Sequence, residues 1–137
     1  MNKYIELKEQ HQKEINEFPM MFAFSNEQFE EGMKKLGVRS SAELVSIGYG
    51  GFVRKTDAET YLKMLIRIGE EEKEAMQDPE YCYEMFRYEL SNHEYCITYD
   101  LTDTLEALNL TVEEVSANPM LRDALKRAER DYLRSVD

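Results

Sequence analysis

Cys82, His93 and Cys96 are the residues best equipped for chemistry, and their spacing argues against it. A structural zinc site usually joins one ligand pair, two to four residues apart, to a second pair farther along the chain. Here the pattern is C-x10-H-x2-C, with Glu94 beside it and no fourth soft ligand. Nucleophilic catalysis would need a general base within reach of a thiol or hydroxyl. The chain offers only His11 and His93, and His11 falls on an apolar stripe where a core role is expected. Carboxylates are so numerous that no pair stands out as acid and base. The chemistry-bearing residues therefore predict no enzyme, no metal and no cofactor.

Gly50-Gly51-Phe52-Val53-Arg54-Lys55-Thr56 runs into a helix and superficially resembles a phosphate-binding loop. That loop requires glycine directly before its lysine, because the backbone must wrap the phosphates there. Arg54 occupies the position instead. The plain reading is a flexible turn. The functional one is a small-ligand or nucleotide-binding regulator using Gly48–Thr56, with Gly50, Gly51, Arg54 and Lys55 as the ligand loop, since exposed glycine-rich loops often carry function.

The tyrosines give a sharper signal. Tyr81, Tyr88 and Tyr95 recur every seven residues, so a continuous helix would align them along one flank bordered by Glu84, Glu89 and Glu94. Tyrosine offers a large, fairly rigid contact area with a polar tip, which suits protein interfaces. These six residues form the expected partner-binding face. The competing reading is that the rings cover the edge of a core that contains no tryptophan.

Charge points the same way. The chain carries a net −11, and residues 70–121 alone hold fourteen carboxylates against Lys73 and Arg87. That stretch sums to −12 and the remainder to +1. Five of the nine tyrosines lie inside it. Such a surface disfavours direct contact with nucleic acid or anionic membranes, whose phosphates need counter-charge, and favours a basic protein. The segment around Thr111-Val112-Glu113-Glu114 has helix-turn-helix punctuation, but adjacent glutamates would be repelled from a DNA groove. Arg122, Lys126, Arg130 and Arg134 fall four residues apart. That stripe could meet the chain's own acids or those of a second copy, so a homodimer is compatible with the pattern.

The elements that must position these residues read as helices. A chain of 137 residues, 42% apolar and 33% charged, is long enough for one domain with a real core. Tyr4, Leu7, His11, Ile15 and Phe18 define one helical face. Ser25 with Gln28, Ser40 with Glu43, Thr56 with Glu59 and Thr111 with Glu114 are capping boxes or their relatives. Asp78-Pro79 and Asn118-Pro119 are helix starts. The expectation is an all-α fold, a single compact domain over 1–137 of about seven mostly short helices. The Ser40 box is expected to start a helix through Ile47, and residues 95–99 could be a short extended segment. Ala58, Tyr61, Leu65, Ile68 and Met76 are the expected inner face of the longest helix. No apolar run approaches the ~20 residues of a membrane span, and the two cysteines do not suggest a secreted disulfide scaffold. A cytoplasmic protein with reduced thiols is expected.

Phe22-Ala23-Phe24-Ser25-Asn26-Glu27-Gln28-Phe29-Glu30-Glu31-Gly32-Met33-Lys34-Lys35-Leu36-Gly37, with Gly50-Gly51-Phe52-Val53-Arg54-Lys55 and Asn92-His93-Glu94-Tyr95, resembles a family of small uncharacterised proteins. These are encoded by phages and other mobile elements of gut bacteria. The resemblance implies no known activity, ligand or catalytic residue. It does imply a mobile-element accessory role, and acidic nucleic-acid mimics that block host-defence nucleases form one class of such proteins. The sequence therefore leads to a non-enzymatic interaction protein whose acidic, tyrosine-bearing face meets a basic, nucleic-acid-handling or defence partner.

Overall fold

A computed structural model describes residues 2–136. In chain order the elements are α1 (Lys3–Glu17), β1 (Met21–Phe22), α2 (Asn26–Leu36), a 3-10 turn (Ser41–Glu43), β2 (Leu44–Gly48), β3 (Gly51–Arg54), α3 (Lys55–Ala75), α4 (Pro79–Asn92), α5 (Tyr95–Thr98), α6 (Thr102–Ala107), α7 (Val112–Ala117) and α8 (Pro119–Ser135). The fold is mostly helical, with a small three-stranded sheet. Contacts divide it into two compact units. A helical unit joins the chain up to Gln10 to the chain from Glu71 onward, and a sheet unit spans His11–Glu70.

Within the sheet unit, local chemistry sets most boundaries. Ser25 accepts a hydrogen bond from the Gln28 amide at 3.2 Å and so opens α2. Gly37, at φ +72°, closes it, its N–H bonding to Lys34 and that of Val38 to Met33. This 5→2 and 6→1 pair is the closure that a left-handed residue permits. The Ser40 capping box also forms, but it starts only the 3-10 turn. The helix expected through Ile47 is instead β2. Val45 and Ile47 are β-branched, and Gly48, Tyr49 and Gly50 all take positive φ, so the chain reverses into β3.

The sheet has the order β1-β3-β2, all antiparallel, with Met21 opposite Phe52 and Leu44 opposite Arg54. Met21, Leu36 and Leu44 are buried, with Phe29 and Phe52 packed edge-to-face at 5.4 Å. Gly32 lets α2 close on the sheet, since a Cβ there would sit 2.6 Å from Met21 Cε. His11 is buried, as its position on the apolar stripe predicts. In α3 the buried residues of this unit are Met64 and Ile68, while Leu62, Leu65 and Ile66 are exposed. The expected inner face was therefore one step out of phase at Leu65.

The helical unit is centred on α4 against α8. Asp78 caps α4 through the Glu80 amide, with Pro79 in the first turn, and Asn118 with Pro119 does the same for α8. Tyr81, Cys82, Met85, Phe86 and Leu90 of α4 are buried in one cluster with Leu121, Ala124, Leu125, Ala128 and Tyr132 of α8. Phe86, Leu90, Cys82 and Ala128 are wholly inaccessible. The stretch 95–99 is not extended: Tyr95–Thr98 make one helical turn, bracketed by Glu94 at φ +52° and Tyr99 at φ +53°.

Candidate interaction surface

The seven-residue tyrosine spacing requires one uninterrupted helix, and the chain does not supply it. α4 ends at Asn92, and left-handed Glu94 turns the backbone before Tyr95. Tyr95 is buried, its hydroxyl donating to Glu129 of α8 at 2.9 Å. Tyr81 and Glu89 are buried too, at 5% and 1% exposure, whereas Glu84 and Tyr88 are half-buried and Glu94 is exposed. Tyr81, Glu84, Tyr88 and Glu89 are brought together, but as a seat for the first turns of α1 rather than as a free face. Glu94 and Tyr95 lie apart from that group, beyond the end of α4.

The seat is built from complementary charge. Lys3 Nζ meets Asp78 at 2.7 Å and the Lys3 amide donates to Glu84. Tyr4 packs at 5.8 Å on Tyr81 and 5.7 Å on Tyr88, and its hydroxyl donates to Glu89 at 2.9 Å. Lys8 Nζ lies 3.4 Å from the same carboxylate and 5.1 Å from the Tyr88 ring centre. His93 Nε2 completes the group, 3.2 Å from Glu89. The contacts to Lys3, Tyr4 and Lys8 each span more than seventy residues, so nothing local in the sequence announces them.

Burial is the first cause of the raised values of Tyr4, Tyr81, Tyr95 and Cys82 in this unit. It pushes Tyr81 up to about 12 and Tyr4 higher still, Glu89 adding to the rise at Tyr4. Tyr95 also rises to about 12, first by burial and then through its bond to Glu129. Cys82 is held up to about 11 by burial, its Sγ donating to the Met76 carbonyl. A raised phenol stabilises the fold fully below its ordinary value of 10.0, and the contribution disappears as pH climbs through the folded value. Alkaline titration followed by circular dichroism and tyrosinate absorbance is accordingly expected to show unfolding between about pH 10 and 12. Ionisation of all nine tyrosines with the ellipticity unchanged would contradict it.

The remaining candidates do not converge. Cys82 and Cys96 are free thiols, and among the described residues no group of three His, Cys, Asp or Glu side chains is placed to hold a metal ion. Gly50 packs under Phe24 and Gly51 between Ile47 and Phe22, so the tip of the proposed ligand loop is a hairpin turn rather than a cradle. Arg54 is turned inward, 2.7 Å from Asp57 and 3.3 Å from the Leu36 carbonyl, leaving Lys55 as that loop's exposed cation. Arg122, Lys126, Arg130 and Arg134 are exposed, and α8 instead meets the acids of α4 through Arg127, which bonds Glu80 at 3.3 Å.

The acids of the segment after α4 stay outward. Glu94, Asp100, Asp103, Glu106, Glu113 and Glu114 are all exposed, and no Lys or Arg occurs between Tyr88 and Leu121. Ile97, Tyr99 and Val112 are exposed among them, at 70%, 67% and 62%. Asp100 and Glu114 are partly engaged, Asp100 accepting from Thr102 and Glu114 pairing with Thr111. The Thr102 hydroxyl and amide hold Asp100 below the usual carboxylate range. α5 and α6 rest on α4, and α7 on α8. Glu94, Tyr99 and Asn109 take left-handed backbone without being glycine, a conformation that costs of order 1 kcal/mol each and is often retained where it aims a side chain. The negative run is visible in the sequence, but its outward share is not.

No helix among the described residues is long and apolar enough to cross a membrane. Residues 3–131 match a family model described as "Family of unknown function (DUF7659)". Searches of the curated proteins and of the solved structures gave no match.

Proposed function

Because the chain belongs to that family of unknown function, its role is read from its own surface, and we propose that it is an interaction protein presenting residues 94–114 to a basic partner. The observation carrying this reading is the run of six exposed carboxylates, without a cation from Tyr88 to Leu121, interleaved with exposed Ile97, Tyr99 and Val112. Carboxylates of this density steer a basic surface from a distance, and the apolar side chains supply contact area once it arrives. The acids of α4 play no such part, because Lys3, Lys8, Tyr4, His93 and Arg127 already engage Asp78, Glu84, Glu89 and Glu80.

The partner class that fits is a protein whose groove normally takes nucleic acid. Carboxylates standing in for phosphates would then occupy it, as a mobile-element product directed at host defence would do. The test is affinity capture from a bacterial lysate, comparing the natural chain with a variant carrying Glu94→Gln, Asp103→Asn, Glu106→Gln and Glu113→Gln. Capture of nucleic-acid-binding proteins that is lost in the variant, lost at high salt and displaced by duplex DNA is the expected result. Capture indifferent to both salt and the four substitutions would refute it.

A further inference from the structure

The sheet unit holds a feature independent of that reading: a cleft of about 480 Å³ between the end of α1 and the middle of α3. Its volume lies within the roughly 300–1,000 Å³ range of small-molecule sites. The α1 wall carries Glu14 and Glu17, the α3 wall carries Lys63 and Arg67, and Phe18, Pro19 and Met64 supply apolar surface. Phe18 is fixed by packing on Tyr61 at 5.3 Å, and Met64 is buried. Arg67 is paired across the cleft with Glu14. Glu17 and Lys63 are then the charges left on opposite walls, Lys63 bonding among the described residues only to Glu59, where both side chains are at least 74% exposed.

Glu17 is placed against the usual electrostatic rule. The last turn of a helix presents unpaired carbonyls and the negative end of its dipole, which favours cations. The last turn of α1 contains no basic residue, and Glu14 and Glu17 add their own charge there. Arg67 answers Glu14, but Glu17 forms no ion pair with the described residues, so a positive group is lacking on the α1 wall of the cleft. On the α3 wall Lys63 can offer an ammonium at little cost, because an ion pair as exposed as Lys63–Glu59 contributes little in water.

We propose that this cleft binds a small zwitterion with an apolar body, an α-amino acid or a short apolar peptide with both termini free. The ligand ammonium would meet Glu17 and the terminal carbonyls of α1, its carboxylate Lys63, and its side chain Phe18, Pro19 and Met64. Opposite charges on opposite walls select against molecules bearing only one of them.

The experiment titrates the full chain with L-leucine and L-phenylalanine, followed by amide chemical shifts and thermal stability. N-acetyl-L-phenylalanine, without the ammonium, and L-phenylalaninamide, without the carboxylate, serve as controls. Saturable shifts confined to residues around Phe18 and Met64 are expected with the two amino acids, with binding at least about tenfold weaker for either control. Glu17→Gln and Lys63→Gln, both at exposed positions, are each expected to weaken binding by a similar factor while the unliganded melting temperature does not fall. Absence of saturable shifts with both amino acids, equal binding of the controls, or retention of binding in both variants would overturn the proposal. None of these outcomes bears on the acidic surface of residues 94–114.

Discussion

Replacing Phe86 with alanine is expected to remove about 3–5 kcal/mol from the stability of the helical unit, as for other large-to-small changes at inaccessible aromatic positions. Phe86 has no exposed surface, and Ala128 and Leu90 of the same cluster have none either. Closely packed surroundings relax little around the vacated volume, so the transfer and cavity costs add. Against a typical total of about 5–15 kcal/mol, this loss would leave a substantial unfolded fraction. Phe86→Leu keeps most of the volume and is expected to cost about 1 kcal/mol. Urea unfolding measures both, with a lower midpoint and an unchanged slope. A Phe86→Ala cost below about 1.5 kcal/mol would mean that α4 and α8 pack less tightly than their burial implies.

The parts of this architecture legible in the sequence are those governed by local chemistry. Ser25, Gly37, Asp78-Pro79, Thr111 and Asn118-Pro119 mark real helix ends, because capping is decided within four residues. The apolar faces of α4 and α8 follow for the same reason. Ser40 shows the limit of such signals. Its capping box forms, yet the chain continues into β2, because pairing with β3 and burial of Leu44 outweigh a single helical turn. β1 is two residues long and is held by β3, thirty residues away, so no periodicity could reveal it.

The candidate surface failed to be legible in a more instructive way. Residue spacing placed Tyr81, Tyr88 and Tyr95 on one line, but the line depended on a continuous helix, and Glu94 breaks it with a left-handed backbone that no glycine advertises. Net charge counted every carboxylate between Glu70 and Glu114 alike. It could not say that Asp78, Glu80, Glu84 and Glu89 are engaged by other parts of the helical unit. The six exposed acids of residues 94–114 lie in the gap from Tyr88 to Leu121 that holds no lysine or arginine, and that gap is the better clue to them.

Glu89 is where charge, hydrogen bonding and packing meet, and Glu89→Ala is expected to cost about 3 kcal/mol. Loss of one member of a buried polar group is usually dominated by the partners left behind. Here the partners differ. Lys8 is 51% exposed and His93 27% exposed, so both can turn to water once the carboxylate is gone. Tyr4 is packed against Tyr81 and Tyr88, and its hydroxyl loses its acceptor. The cost should therefore fall at the lower end of the ~3–5 kcal/mol seen for broken buried pairs. Glu89→Gln keeps an oxygen for the Tyr4 hydroxyl and is expected to cost only about 1 kcal/mol. The first turns of α1 depend on this anchor, so amide exchange at Leu7 to Gln10 should accelerate in Glu89→Ala more than in Glu89→Gln. If both variants unfold at the same denaturant concentration as the natural chain and α1 exchanges no faster, aromatic packing of Tyr4 alone holds the helix, and the carboxylate is a passenger.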